Sequence, residues 1–329
     1  MFNKPHFQNY MQTTDNRYIR LLRWLGYLTA FATIVSLYDR LWLFELLTHF
    51  TIQYVIILSL LTIVFLYRRN RLFILFLPFL AVNVYKIYDH TTVQIIKTSQ
   101  ASQNIRIAAV NLDMSNTQYS KVRTFIQEHN ADILLLTELT PAWVKQLDML
   151  KTKYPHSYRV PKNGGFGIAM FSRFPMLNTQ TVVLDNLLSP APAIFSEIDV
   201  NGKKINIHGV HLFAPMTNRY FHARNRQLEK LAGLINDTES PLIVFGDMNI
   251  TSWSSFYKKF IKKTSLQEST TGQGFQPTWP SYFFPFYIQL DHILLSKDFV
   301  VVSSSSKNNV GSDHYPLVAE ISLPDTQQD

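Results

Sequence analysis

The chain contains no cysteine in its 329 residues, which excludes disulfides and thiolate metal sites and leaves the redox compartment open. It also lacks an excess of charge over most of its length. The formal net charge is +8, yet residues 1–100 carry 10 Lys+Arg against 4 Asp+Glu, whereas residues 101–329 carry 21 against 19. The longer stretch therefore has no broad electrostatic footprint for nucleic acid, although a local basic groove stays open. Internal repeats and low-complexity tracts are missing too, apart from a serine run at 303–306 that reads as a loop.

Long apolar runs are absent after residue 104 but not before it. Three runs, at about 20–38, 50–67 and 71–88, are apolar on every face and approach the ~17 to 20 residues that a membrane span needs. The sequence thus leads to an N-terminal transmembrane helical module over 1–90, with Pro78 and Asn83 making the third run the weakest. A cleavable signal peptide does not fit, because the apolar runs continue well past its usual extent. Lys4, Arg17, Arg20 and Arg23 before the first run, and Arg68, Arg69 and Arg71 before the third, would keep those segments inside. The expectation is a multi-pass protein of the cytoplasmic membrane, N-terminus inside, with everything after the third span extracytoplasmic. A polar linker at 91–104, a domain at 105–324 and a short tail at 325–329 complete the organisation.

The domain alternates short apolar strands with polar turns and amphipathic helices. Residues 105–111 read as an entering strand ending in Asn111-Leu112-Asp113, and a helix follows at about 118–130. Residues 131–138 form a buried-type strand with Glu138 at its end, and Pro141 opens the next helix. A glycine-rich turn and strand lead to Arg173. Asn201-Gly202 joins two further strands as a hairpin, and the second ends at His211. A helix at about 220–236 carries Arg219, Arg224 and Arg226, which read as a solvated face. Then comes the apolar strand Leu242-Ile243-Val244, stopping at Gly246-Asp247-Met248-Asn249. Near the C-terminus lie Leu290-Asp291-His292 and Ser312-Asp313-His314. Many strands, hairpins and interspersed helices give an α+β class: two packed mixed sheets flanked by helices.

Polar residues therefore stand at the ends of several strands. Oxygen ligands dominate, which suits a hard cation such as Mg²⁺ or Mn²⁺ better than zinc. Such an ion could polarise a phosphoryl oxygen, a carboxylate could orient water, and a histidine could protonate the leaving oxygen. Taken singly, each residue has an ordinary reading: Asp247-x-Asn249 as an Asx turn, Asn111 as a turn former, His211 as a satisfied structural histidine. By strand alternation His292 faces away from Asp291 and reads as structural.

In order along the chain, Asn-x-Asp at 111–113, Leu-Leu-Thr-Glu at 135–138, His-Leu-x-Ala-Pro at 211–215, Gly-Asp-Met-Asn at 246–249, Leu-Asp-His at 290–292 and Ser-Asp-His-Tyr-Pro at 312–316 resemble the endonuclease/exonuclease/phosphatase superfamily. The resemblance implies a four-layer α/β sandwich and metal-dependent phosphoester hydrolysis. It implies that Asn111 and Glu138 hold the metal with Asp313 and Asp113 contributing, and that Asp247 positions or deprotonates water. By the same likeness Asn249 binds phosphate, His314 contacts it under orientation by Asp291, and His211 assists the leaving group. Arg173 is a further candidate phosphate contact. The stretch Pro277-Thr278-Trp279-Pro280 and the aromatic loop at 275–287, behind three spans, are similar to a membrane-anchored branch associated with teicoplanin resistance. That likeness implies a lipid-linked substrate such as a polyprenyl pyrophosphate.

Three readings compete at this level. The first is a membrane-anchored phosphoester or pyrophosphate hydrolase with the lipid bilayer and a lipid-linked substrate as partners. The second is an outward-facing nuclease on DNA or RNA, disfavoured by the balanced charge. The third is a non-catalytic membrane sensor or scaffold. No obligate protein partner is implied.

Overall fold

The computed structural model describes residues 4–91, 104–188, 190–239 and 241–323, and side chains from Arg17 to Tyr88 in its first part. The chain divides into two compact units, Met1–His90 and Thr91–Asp329. Most of the expected linker, and all of the expected tail, lie outside the described residues; Thr91 closes a helix and Asn104 opens a strand.

The first unit is helical: α1 (Lys4–Val35), α2 (Trp42–Thr48), α3 (Thr51–Tyr67) and α4 (Leu72–Thr91). Leu58, Leu61, Phe65 and Phe76 form its buried centre. Gly26 lets α1 pass against the Phe76 ring, since a Cβ there would come within 2.2 Å of it. Asn83 donates to the Thr33 hydroxyl at 2.9 Å, joining α4 to α1 through buried polar groups.

The three expected membrane spans are corrected here. Among the described residues no single helix is long and apolar enough to cross a membrane. The apolar part of α1 is confined to its C-terminal turns, because Arg17, Arg20 and Arg23 occupy its middle and the helix stops at Val35. α3 has 17 residues, and α4 is apolar only over Leu72–Tyr88. Only α2 and α3 together pass by length and composition, and they are bent by 63° at the break between them. The multi-pass topology, and with it the inside and outside assignments, loses its basis, since a count of flanking charges orients only segments that span.

The second unit contains β1 (Asn104–Asn111), α5 (Tyr119–His129), β2 (Ile133–Thr137), α6 (Pro141–Gln146), β3 (His156–Val160), β4 (Ile168–Ser172), β5 (Met176–Val183), β6 (Pro192–Val200) and β7 (Lys203–His211). These are followed by α7 (Asn218–Asn236), β8 (Leu242–Asp247), α8 (Ser255–Thr264), β9 (Gln267–Glu268), β10 (Asp291–Leu295), β11 (Val300–Ser306) and β12 (Leu317–Ser322). Two six-stranded sheets form, in the orders β11-β12-β1-β2-β4-β3 and β5-β6-β7-β8-β10-β9. Both are mixed, with β1 parallel to β2 and β7 parallel to β8.

Alternation decides which side chains fill which layer. Ile105, Ile107 and Ala109 of β1 meet Leu135, Ile207, Phe245 and Ile293 between the sheets. Ala108 and Val110 face outward and pack with Val122, Phe125 and Trp143 of α5 and α6. On the other side Val210, Val244 and Leu294 pack under Leu228, Leu231 and Phe260 of α7 and α8. Both faces of the central strands are therefore dry, which is why they read as continuous apolar runs. Thr140, Thr217 and Ser254 cap the helices through their hydroxyls, each contributing about 1 kcal/mol.

Direction is what assembles a site. β1, β2, β7 and β8 all end at one edge of the sandwich, and antiparallel β4, β10 and β12 begin there. At that edge Gly246, with φ +133°, carries the chain out of β8; a Cβ would lie 2.1 Å from the Val210 carbonyl oxygen, so only glycine fits.

Candidate active site

The polar residues at this edge converge on Asp247. Its carboxylate is buried; Oδ1 accepts the Asn249 backbone N–H at 2.9 Å, and Oδ2 accepts from Asn111 Nδ2 at 3.1 Å. The same Oδ2 lies 3.6 Å from His211 Nε2 and 3.7 Å from His314 Nε2. Asp291, directly across the ladder from Asp247, holds His314 Nδ1 at 2.7 Å. The backbone N–H of Asp291 donates in turn to Thr278 Oγ1 at 3.0 Å. A buried acidic and imidazole cluster of Asp247, Asp291 and His314 results.

Beside it, Asn111 Nδ2 also donates to Glu138 Oε1 at 3.1 Å, and the Met114 N–H donates to Glu138 Oε2 at 2.9 Å. Asp313 is tied through Oδ2 to the Trp279 indole N–H at 3.1 Å. Asp113 accepts from the Ser115 N–H at 2.8 Å and hydroxyl at 2.7 Å. Three of these residues are held in the left-handed region without being glycine: Asp113 at φ 55°, Glu138 at φ 57° and Asn249 at φ 50°. Such conformations persist where surrounding contacts overdetermine them.

The electrostatics separate the two histidines. Burial alone would lower the basicity of His314, but the charges of Asp291 and Asp247 and the hydrogen bond that the imidazole donates to Asp291 together raise it well above the ordinary imidazole value. For His211 burial prevails over the nearby Asp247, and its pKa falls. The surroundings thus favour the charged form of His314 and the neutral form of His211. Burial pushes Asp247 up, with the His314 charge opposing and the nearby Asp291 adding to the rise. It pushes Glu138 up too, and the Met114 N–H and Asn111 amide offset only part of this.

A divalent cation fits the donor set. Among the described residues no Lys or Arg pairs with Glu138, Asp247 or Asp291, so the carboxylates at this edge face one another with one imidazolium between them. The imidazolium offsets only one of its two aspartates. The side of Glu138, Asn111 and Asp313 is the oxygen-rich part left for a hard ion.

Residues 108–314 match the model of the Endonuclease/Exonuclease/phosphatase family. The chain belongs to that family. Its members are mostly divalent-metal-dependent phosphoester hydrolases. Solved structures with the same fold include an endonuclease/exonuclease/phosphatase from Beutenbergia cavernae, at 17% identity and TM-score 0.57, covering 68% of this chain and 72% of that one. The human Nocturnin catalytic domain with bound sulfate has 24% identity and TM-score 0.56, covering 67% and 94%. D. rerio TDP2 complexed with a single strand DNA product has 16% identity and TM-score 0.56, covering 67% and 99%. A comparison with curated protein sequences gives no match. None of these likenesses bears on the membrane-anchored, teicoplanin-associated branch.

Within this endonuclease/exonuclease/phosphatase fold, Asn111, Asp113, Glu138, His211, Asp247, Asn249, Asp291, Asp313 and His314 all lie at the one edge. Arg173 does not. It follows the far end of β4, where Nη1 donates to Asp132 Oδ1 at 2.9 Å and Nη2 bonds Asn130. The motif reading also passed over three contributors. Thr278 holds Asp291, Trp279 holds Asp313, and Arg224, far from being solvated, is fully buried at 0% exposure. The signal for Arg224 was present: it falls on the stripe of Phe221, Leu228, Leu231 and Ile235 that α7 buries.

Proposed function

We propose that this chain is a divalent-metal-dependent hydrolase of a phosphoester or pyrophosphate whose remaining part is apolar, a lipid-linked phosphate being the class that fits. One observation supports the apolar group. In the second unit, ten large hydrophobic side chains are exposed among the described residues, and eight of them stand on loops at the site edge. Met114 follows Asn111 and Asp113, Leu187 lies between β5 and β6, and Met216 follows His211. The other five are Phe275, Tyr282, Phe283, Phe284 and Phe286, in the loop entering β10. An apolar rim of this kind marks a binding surface, and the 21 basic against 19 acidic residues of 101–329 supply little attraction for a polyanion.

Glu138 and Asn111, flanked by Asp113 and Asp313, would hold Mg²⁺ or Mn²⁺. When bound, the ion would supply Lewis-acid stabilisation of charge on the phosphoryl group. Asp247 accepts a proton from the attacking water, its burial making it a stronger base than a solvated aspartate. The imidazolium of His314, locked by Asp291, hydrogen-bonds a phosphoryl oxygen and stabilises charge in the transition state. Neutral His211 is placed to hydrogen-bond the leaving oxygen. Asn249 adds a carboxamide beside the phosphate.

The test offers the purified full chain, with Mg²⁺ or Mn²⁺, a matched series of phosphoesters with methyl to dodecyl groups, a polyprenyl pyrophosphate and plasmid DNA. The expected result is a kcat/KM that rises with chain length, and loss of that gain in Phe284→Ser with Tyr282→Ser. Rapid DNA cleavage with no dependence on chain length would replace this reading with a nuclease, the activity suggested by the single strand DNA product of the TDP2 complex.

A further inference from the structure

α7 lies beneath the loops that leave β7 and β8, and two buried side chains of this helix reach up into them. Arg224 donates from Nη1 to the carbonyl oxygen of Asn249 at 2.8 Å, while its Nε donates to Asn225 Oδ1 at 2.9 Å. One turn on, Gln227 accepts the Phe213 N–H through Oε1 at 2.9 Å. The two loops are joined to each other by Asn249 Nδ2, which donates to the Leu212 carbonyl at 3.0 Å, and by the Leu212 N–H, which donates to the Asp247 carbonyl at 2.9 Å. The chain segments carrying His211 and Asn249 are thus strapped together and anchored to one helix.

We propose that Arg224 is a positioning residue that acts through Asn249, fixing its left-handed backbone so that its carboxamide and the Asp247 carboxylate keep one arrangement. The proposal rests on the reading that Asn249 belongs to the hydrolytic site. The geometry gives the reason for arginine. Asn249 sits at φ 50°, a conformation an asparagine tolerates but does not hold unaided, and its carbonyl points into the helix layer. What holds that carbonyl must therefore be a donor on the helix side. A buried guanidinium can be that donor, because its planar fork spends separate N–H groups on the helix residue Asn225 and on the loop. A hydrogen bond from a charged donor in a dry setting is also stronger than one between neutral groups. Arg224 touches no reacting atom, so its effect on the rate passes entirely through the residue it holds.

The decisive experiment combines Arg224→Gln, Asn249→Ala and the double variant, with Arg224→Lys as the milder replacement should the glutamine variant fold poorly. Each is assayed for hydrolysis of the best phosphoester. Amide hydrogen exchange is followed in parallel over 247–250 and, as a reference, over the β1 and β12 pair. Arg224→Gln is expected to lower kcat about ten- to a hundredfold, with less effect on KM, and to cost less in the Asn249→Ala background, where only its hold on Asp247 through the backbone is left to lose. Exchange over 247–250 should speed up by a similar factor while the reference strands stay unchanged. Losses that multiply in the double variant, or unchanged exchange at 247–250, would overturn the proposal and leave Arg224 a packing residue of α7. If the unmodified chain hydrolyses no phosphoester, the functional reading fails by itself, and the exchange measurement still decides whether Arg224 holds this loop.

Discussion

Two carboxylate and imidazole pairs hang from consecutive residues of β10, on opposite faces. Asp291 meets His314 at 2.7 Å, and His292 meets Glu268 at 2.6 Å. Both pairs are buried, and in both the imidazole pKa is raised above its usual value. The difference lies at the far nitrogen. His292 Nε2 is taken up by the Ile250 carbonyl at 2.8 Å, and Nδ1 shares its neighbourhood with the Tyr257 hydroxyl. Among the described residues, the polar neighbour of His314 Nε2 is Asp247, at 3.7 Å, a separation too long for a hydrogen bond. The same pairing thus serves as a closed structural node on one face and as an open site on the other. A chemical role is set by the hydrogen bond a histidine leaves unmade.

The comparison is tested most severely by Asp247→Asn. It should keep the fold, because the amide can retain the bond from the Asn249 N–H, while kcat falls by about 10³ to 10⁴ or more, as expected when a proton acceptor is lost from a positioned site. A variant with near-normal turnover would place the chemistry elsewhere. Next in size, His314→Gln should cost about 10² to 10⁴ in kcat. Asp291→Asn should cost less, and combining the two should cost no more than His314→Gln alone, because the aspartate works through the imidazole.

On the closed face the expected effect is on stability. His292→Gln removes the imidazole that offsets the buried Glu268 charge, although the Tyr257 hydroxyl still donates to that carboxylate, and should destabilise the fold by about 3 kcal/mol, with KM and kcat unchanged at temperatures where the protein stays folded. Denaturant titration alongside turnover would check it, and a loss of turnover without loss of stability would erase the contrast. The smallest effect is in pH. The folded pKa of His292 lies above its unfolded value, so its stabilisation is fully present below the unfolded value of about 6.5. It is lost as pH rises through the folded value. The gap in Tm between the unmodified chain and His292→Gln should therefore narrow as pH rises above about 6.5.

The sheets and the ordered polar positions were legible because each depends on local sequence. The strands at 107–111 and 242–247 are dry on both faces and so lack polar alternation. Asn201 and Gly202, at φ 55° and 89°, supply the two positive dihedrals a tight hairpin needs. The outward placement of His292 followed from a period of two. What sequence could not supply was long-range pairing. Arg173 and Asp132 are distant enough in the chain that their bond at the far end of β4 is invisible to motif reading. The burial of Arg224 is written in the stripe it shares with Phe221 and Leu228, but its partner, the carbonyl of Asn249, is not. In the first unit, hydropathy overstated the helices. It averages over Arg20, Arg23 and the breaks after Val35 and Thr48, whereas a span needs one continuous apolar cylinder.

The left-handed backbones of Asp113, Glu138 and Asn249 carry a consequence for how this protein can change. Each side chain beyond glycine costs about 1 kcal/mol or more in that region, and a β-methylene without the short amide or carboxylate of Asn and Asp makes Glu138 the most costly of the three. Glycine at any of them would relax the backbone while deleting a polar side chain from this edge. Selection for heat resistance alone would thus weigh that strain against the hydrogen bonds these side chains make, and glycine would win only where the bonds are worth less than the strain.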